Sequence, residues 1–303
     1  MLQHPGKRGC RMKASAVKEE IKFLLFIFPW LFGFCFLFVT PALQALYYSF
    51  TDYNAITEPN WVGLENYEKL LHDKIYWKSL RNTLFFVLIG VPVNLVFQIL
   101  IANLLNMKLK GIAFFRTFYY LPYLVPAIAV VIIWRIIFSD FGVVNYLLNL
   151  VGIESIRWFS EQWIKPVIVL MAMWASGSAV IVFLAALNGI PRYLYEAAKI
   201  DGASSLRMFF SITLPMITPA ILFSVIIQMI GTFQIFTEPW VLNRGGPNYA
   251  SYTYGINVYM TAFRDNQFGL AMAQAWLLVV LILIITLILL RSSRKWVYYE
   301  GEN

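Results

Sequence analysis

Histidine and cysteine are almost missing from this sequence: His4, His72, Cys10 and Cys35 are all that 303 residues contain. No H-x-x-x-H or C-x-x-C spacing occurs, so metal ligation has no frame. Cys10 precedes the first apolar run and Cys35 lies within it, which excludes a native disulfide between them. The phosphate-cradling run G-x-x-x-x-G-K-[ST] is absent too, so this chain has no P-loop of its own. Charged residues are only 13% against 60% hydrophobic, a balance that does not suit a water-soluble surface. Acids are missing altogether from 83–138, 166–195, 202–237 and 266–299. A proton- or sodium-coupled carrier normally keeps a carboxylate inside the membrane. Ion coupling through a buried acid is therefore disfavoured, although backbone carbonyls remain able to serve sodium. No cluster of acid, base and nucleophile suggests an enzyme. The net charge of +8 does not point to nucleic acid, because the basic residues sit at the ends of apolar runs and form no stripe.

What the sequence has in plenty is apolar length. Runs near 23–48, 83–105, 118–138, 166–188, 212–237 and 269–290 each approach the roughly 20 residues that cross a bilayer. The fold class is all-α integral membrane with about six transmembrane helices. The first run follows Lys7, Arg8, Arg11, Lys13, Lys18 and Lys22. It is long and lacks a small-residue cleavage site, so it reads as an uncleaved span. Of 24 Lys and Arg, 15 fall on the side shared by both termini and the 189–211 loop, 8 on the other, and Arg135 within a span. Positive residues accumulate on the cytoplasmic side, which puts both termini and that loop there. The chain then divides into a cytoplasmic segment 1–22, a membrane domain 23–290 and a cytoplasmic tail 291–303. Trp30, Trp61, Trp134, Trp163, Trp240 and Trp296 lie near predicted span ends, as an interfacial belt does. Pro122 with Pro126, and Pro215 with Pro219, are expected to kink or start helices.

The 189–211 loop is too polar to span and too regular for a plain connection. Pro191 suits a helix start. Leu194, Ala197, Ala198 and Asp201 recur with helical spacing and place both alanines on one face, and Gly202 permits the left-handed turn that ends a helix. Leu206, Phe209, Phe210 and Thr213 then begin a second helical period that runs into the fifth span. A small-faced helix outside the bilayer suits docking into a partner's groove; a plain surface linker is the alternative.

Glu196, Ala197, Ala198, Gly202, Ile212, Leu214 and Pro215, at their spacing, resemble the cytoplasmic coupling motif of permeases in binding-protein-dependent ABC importers. The likeness extends from about Phe23 to Leu290. It includes Val62-Gly63-Leu64-Glu65-Asn66-Tyr67, Asn82-Thr83, Phe115-Arg116-Thr117, Leu121-Pro122, Trp134-Arg135, Gly142 with Asn145, and Gly245-Gly246-Pro247, which look like the carbohydrate-uptake branch. The resemblance implies a type I importer permease fold in a bacterial cytoplasmic membrane. It also implies a second, related permease, two ATP-binding cassette ATPases that use ATP and Mg, an external or periplasmic solute-binding protein, and a sugar as cargo. No cofactor is expected on this chain. Glu196, Ala197, Ala198, Asp201, Gly202, Ile212, Leu214 and Pro215 would receive the ATPase stroke.

For the solute path, uncharged polar groups partway along spans are the natural choice, since they are costly in lipid. Asn94, Gln98, Ser176, Ser178, Gln228, Thr232 and Gln234 qualify, and Trp174 offers a ring on which a sugar can stack. The plainer reading is that such groups bond neighbouring helices and that Trp anchors at an interface. The resemblance favours the fourth and fifth spans. Glu238 and Arg135 read as structural or gating ion-pair formers. The alternatives to a sugar importer are an ion-driven secondary carrier and an ABC permease for another solute.

Overall fold

The computed structural model describes residues 22–107 and 109–298. The basic segment before Lys22, with Cys10 and His4, lies outside the described residues, as do Lys108 and the last five residues of the tail.

Among the described residues three helices are long and apolar enough to cross a bilayer unbroken: α1 (Lys22–Tyr48), α3 (Lys74–Leu105) and, last of them, α14 (Phe268–Ser293). A short helix α2 (Glu65–His72) precedes α3. The other three expected spans are each a bent pair. They are α4 (Ile112–Leu124) with α5 (Ala127–Ile137), bent by 101°; α7 (Ile164–Trp174) with α8 (Gly177–Gly189), bent by 51°; and α10 (Ser205–Met216) with α11 (Thr218–Phe233), bent by 65°. Between them lie α6 (Val143–Leu150), α9 (Arg192–Ile200) and α12 (Thr237–Asn243), and α13 (Tyr254–Tyr259) precedes α14.

The breaks before Pro126 and Pro219 fall where the paired prolines are expected to kink or start helices, whereas the break at 175–176 carries no such signal, and each break has a local cause. Val125 is extended, ψ 135°, and Pro126 caps α5; a residue before proline avoids the helical region. At the second break an added Cβ on Gly177 would lie 3.0 Å from the Tyr119 carbonyl oxygen, so α4 presses directly against the start of α8. At the third, Ile217 leaves the helix and Pro219 restarts it at the first turn of α11.

Other prolines are absorbed without a break. Thr40, Val91 and Leu214 each precede a proline, and each donates its N–H five residues back, to Cys35, Phe86 and Phe209. The resulting π turns leave room for a ring that would otherwise strike the preceding turn.

Helix α3 starts nine residues before the expected Thr83. Asp73 caps it by accepting from the Ile75 N–H at 2.7 Å, and Tyr76, Ser79, Asn82 and Thr83 form a buried face. The apolar core lies in patches. One joins α3, α5, α7 and α12 around Val131, Trp134 and Ile168, and another joins the end of α3 to α8 around Phe183 and Ile217. Trp134 is thus a core residue, stacked on Phe138, and not part of an interfacial belt. Helix α1 differs from the rest: none of its most apolar window is buried.

Loops collect at two ends. At one, residues 103–116, 187–213 and 294–298 meet: Arg116 donates Nε and Nη2 to the Leu105 carbonyl, at 3.0 and 2.8 Å, and the Tyr298 N–H reaches Thr218 Oγ1 at 2.9 Å. At the other, 49–82, 138–163 and 234–269 meet, as in the bonds from Asn82 Nδ2 to the Tyr249 and Tyr252 carbonyls at 2.7 and 2.9 Å.

Candidate coupling site and solute path

The 189–211 segment folds as a helix, a stop and a second helix. Pro191 is the residue before α9, with ψ 132°. Its missing N–H costs nothing at this edge of a helix. At the far end the Gly202 N–H bonds the Lys199 carbonyl at 3.1 Å and the Ala203 N–H bonds the Ala198 carbonyl at 2.9 Å. With Gly202 at φ +74°, these form a Schellman stop, which requires a left-handed residue just past the helix. An added Cβ on Gly202 would meet nothing within 4 Å, so glycine is needed here for its backbone and not for space. Ser204 caps α10 by accepting from the Arg207 N–H at 3.3 Å.

One edge of α9 is held and the other is free. Leu194 and Tyr195 pack on the core with Ile212 and Met216. The Tyr195 hydroxyl lies 2.8 Å from Thr213 Oγ1, tying α9 to the span that follows it. Glu196, Ala197, Asp201 and Gly202 are exposed, Ala198 is half-buried, and Tyr193, Ile200 and Leu206 stand out as bare apolar side chains, Ile200 with 87% of its surface exposed. Ile212, Leu214 and Pro215 are half-buried in α10. Tyr195 and Thr213 escaped the sequence reading; Thr213 counted only as one step of a helical period, and Tyr195 stands just before the first fixed position of the motif, Glu196.

The polar residues of the spans fall into two groups. Ser176 is buried, donates to the Met173 carbonyl at 2.6 Å and pairs with the Tyr119 hydroxyl at 3.1 Å. Gln98 and Gln228 exchange amide bonds at 3.1 and 3.0 Å, joining α3 to α11. Ser178 and Thr232 are half-buried, whereas Gln234 is exposed. Trp174 is 39% exposed and meets Trp134 edge to face at 6.0 Å. Asn94 has a buried Oδ1 without a partner.

The ion-pairing expected of Glu238 and Arg135 is absent. Among the described residues the ion pairs are Lys69 with Glu65 and Arg264 with Asp265. Arg135 instead lines a cleft of about 730 Å³ with Arg157 and Asp140.

Several of the remaining motif residues hold loops together. Asn66 Nδ2 holds the Ser49 and Thr51 carbonyls at 2.9 and 2.8 Å. Thr83 Oγ1 accepts from the Tyr254 N–H at 2.8 Å. Asn145 donates to the carbonyls of Ser139, Asp140 and Ile156 and accepts from the Ile156 N–H and Trp158 Nε1. A Cβ on Gly142 would strike the Ile137 carbonyl, and one on Gly269 the Thr51 carbonyl. Gly245, at φ +79°, passes within 2.9 Å of the Tyr252 Cα where a Cβ would stand. Burial pushes the Tyr252 phenol up to about 12.

Residues 95–298 match the family described as binding-protein-dependent transport system inner membrane component. The chain is 39% identical to the probable ABC transporter permease protein YesP of Bacillus subtilis, over 98% of both. It is 33% identical to the arabinooligosaccharides transport system permease protein AraP of Halalkalibacterium halodurans, over 97% of this chain and 95% of that protein. To the lactose transport system permease protein LacF of Rhizobium radiobacter it is 34% identical, over 77% and 81%. Its fold superposes on a chain of a bacterial alginate ABC transporter, solved in complex with alginate pentasaccharide-bound periplasmic protein. The TM-score is 0.83, at 22% identity, over 93% of this chain and 96% of that one.

Proposed function

We propose a transport role from one premise: this chain belongs to the family of binding-protein-dependent transport system inner membrane components. It is a membrane permease subunit of an ABC importer, a transport component and not an enzyme. The cargo we infer is a sugar or oligosaccharide, supported by the saccharide systems to which AraP and LacF belong and by the outer-loop residues Val62 to Tyr67 and Gly245 to Pro247. A second permease would form the other half of the path. Two ATPase subunits would consume ATP and Mg, and an external binding protein would deliver the sugar, a reading supported by the periplasmic protein in the alginate complex. The excess of Lys and Arg at the α9 end favours a cytoplasmic position for that end and for both termini.

The observation that carries the mechanism is the one-sided attachment of α9. Its free edge, with Glu196, Ala197 and Ile200, would seat in an ATPase groove. Its held edge passes displacement through the Tyr195 and Thr213 hydroxyls into α10. The Schellman stop at Gly202 makes α9 a short rigid piece, and Ile212, Leu214 and Pro215 carry it into the fifth span, which bends at Ile217. Closure of the ATPases would then shift the population between inward- and outward-facing states. Trp174, Ser178, Thr232 and Gln234 would line the path, while Ser176 and Gln228 hold its walls together.

Reconstitution with the neighbouring ATPase, second permease and binding protein tests this. A saccharide carried by the binding protein should raise ATP hydrolysis several-fold, and Glu196 should crosslink to the ATPase. Failure of every saccharide to stimulate would overturn the sugar reading; failure of α9 to touch an ATPase would overturn the coupling reading.

A further inference from the structure

Two of the three span breaks converge on one cleft. Val125 and Ala127, at the α4 to α5 break, and Met171 and Ala175, at the α7 to α8 break, line a space of about 550 Å³ together with Tyr123 and Glu238. That volume suits a small ligand, and an apolar wall with few polar groups is the usual make-up of a solute site. Its position follows from helix rise. Helix α4 has 13 residues, or about 20 Å at 1.5 Å each, in a hydrocarbon core of about 30 Å. The cleft therefore lies at the end of α4 remote from α9, where the two span breaks meet the segment that begins at 234.

Glu238 is the one charged residue lining this cleft. It has no ion pair among the described residues. It does not cap α12 either, since the capping position is Phe236, without a side-chain bond. A carboxylate beside broken spans, directly after the apolar run that ends at 237, is not tolerated against lipid and belongs to a water-filled cavity or a solute pathway. Broken helix backbone at membrane depth has the same requirement. An ionised carboxylate only accepts hydrogen bonds, and among the described residues none donates to it, so its donors are water or a solute that enters the cleft.

We propose that Glu238 is a solute-binding residue that accepts hydrogen bonds from saccharide hydroxyls and sets the charge selectivity of the path. This rests on the saccharide reading above. Two neighbouring ring hydroxyls present two donors to the two carboxylate oxygens, and the Tyr123 ring, 50% exposed, offers an apolar face beside them. A uronate would bring a second carboxylate into a space with no cation lining it, and like charges in a low-dielectric site repel strongly. Glu238 therefore selects neutral saccharides and rejects acidic ones. The cations Arg135 and Arg157 line a separate cleft, where Asp140 accompanies them.

The test is equilibrium binding to the whole complex in nanodiscs, trapped with vanadate and without the binding protein, so that only the membrane path is read. Tritiated maltotriose, cellotriose, mannotriose and galactotriose are each compared with the same sugar oxidised to a uronate at its terminal C6. At least one neutral sugar should bind about tenfold tighter than its uronate. Glu238→Gln should weaken the neutral sugar about tenfold and bring the pair within about threefold of each other. Glu238→Asp, which keeps the charge, should preserve the preference while weakening the neutral sugar, and it serves where the Gln variant fails to assemble. Unchanged affinity and preference in these variants, or equal binding of the uronate by the wild type, overturns the role of Glu238 and leaves the saccharide reading standing. Absence of any saccharide binding together with absence of any saccharide-stimulated ATP hydrolysis overturns both.

Discussion

The two ends of this molecule are built on different plans. The end formed by 49–82, 138–163 and 234–269 is stitched by amide side chains that reach across the sequence: Asn66 to 49 and 51, Asn82 to 249 and 252, Asn145 to 139, 140 and 156. Each satisfies backbone groups that a buried loop leaves open, which is what lets irregular chain be packed. The α9 end has almost none of this: a helix of 9 residues rests on a small apolar foot and one hydroxyl pair, with Ile200, Leu206 and Tyr193 bare. One end is closed by its own chain, whereas the other leaves bare apolar side chains that the proposed ATPase contact would cover. A membrane motor needs both, a fixed frame and a part that accepts a push.

Mutations can break this contrast or sharpen it. Asn145→Ala should do the most damage, because it strands the Asp140 and Ile156 carbonyls and two N–H donors, the Ser139 carbonyl keeping the Gly142 N–H. At about 1 to 3 kcal/mol for each buried group left unpaired, we expect a loss of at least about 4 kcal/mol, seen as poor yield and a much lowered melting temperature of the detergent-solubilised complex. A melting temperature within a few degrees of wild type would show that this end is not stitched as described. Gly202→Val forces a branched residue into the left-handed region and should cost about 1 to 2 kcal/mol. Gly202→Asn, which tolerates that conformation, should fold nearly as well as wild type. Transport should follow the same order, and equal uptake by both variants would remove the Schellman stop from the mechanism.

Tyr195→Phe deletes a single hydroxyl, worth about 1 kcal/mol, so stability should barely change. Saccharide-stimulated ATP hydrolysis should persist while uptake per ATP falls several-fold, and unchanged stoichiometry would mean that the stroke travels another way. The smallest effect belongs to pH. Tyr252 is held neutral by burial, with its phenol raised from 10 to about 12. A raised folded value contributes stability that is complete below pH 10 and is lost as pH climbs toward 12. Tyr252→Phe should leave melting at pH 7 unaltered and flatten the alkaline decline between pH 10 and 12; an identical decline in the variant would assign it to another group.

The sequence made the α9 region legible because its signals are local: Pro191 before the helix, the spacing of Leu194, Ala197 and Ala198, and Gly202 after it all fall within a dozen residues. The number of spans was legible for the same reason, since apolar length is counted along the chain. Two of the three breaks carried a signal as well, the prolines at 126 and 219. The break at 175–176 did not, because it depends on a Tyr119 carbonyl pressing on Gly177. Trp134 looked like an interfacial anchor because its distance from a span end is visible in sequence, while its burial under Phe138 and Val131 is not. Glu238 looked like half of an ion pair because Arg135 was the one basic residue left in a span. Only the fold shows that Arg135 lines another cleft.

The first helix has one further consequence. The neighbours of its Thr40–Tyr48 stretch include α14, the last helix of the chain, and none of its most apolar stretch is buried among the described residues. At about 5 to 20 residues per second, a ribosome needs on the order of ten to forty seconds between finishing Tyr48 and reaching Phe268. During that interval the nascent chain has its leading segment in the bilayer with no such companion, so folding cannot proceed stepwise from the beginning. The interval is long enough for insertion machinery or a sister subunit to take hold of that segment first.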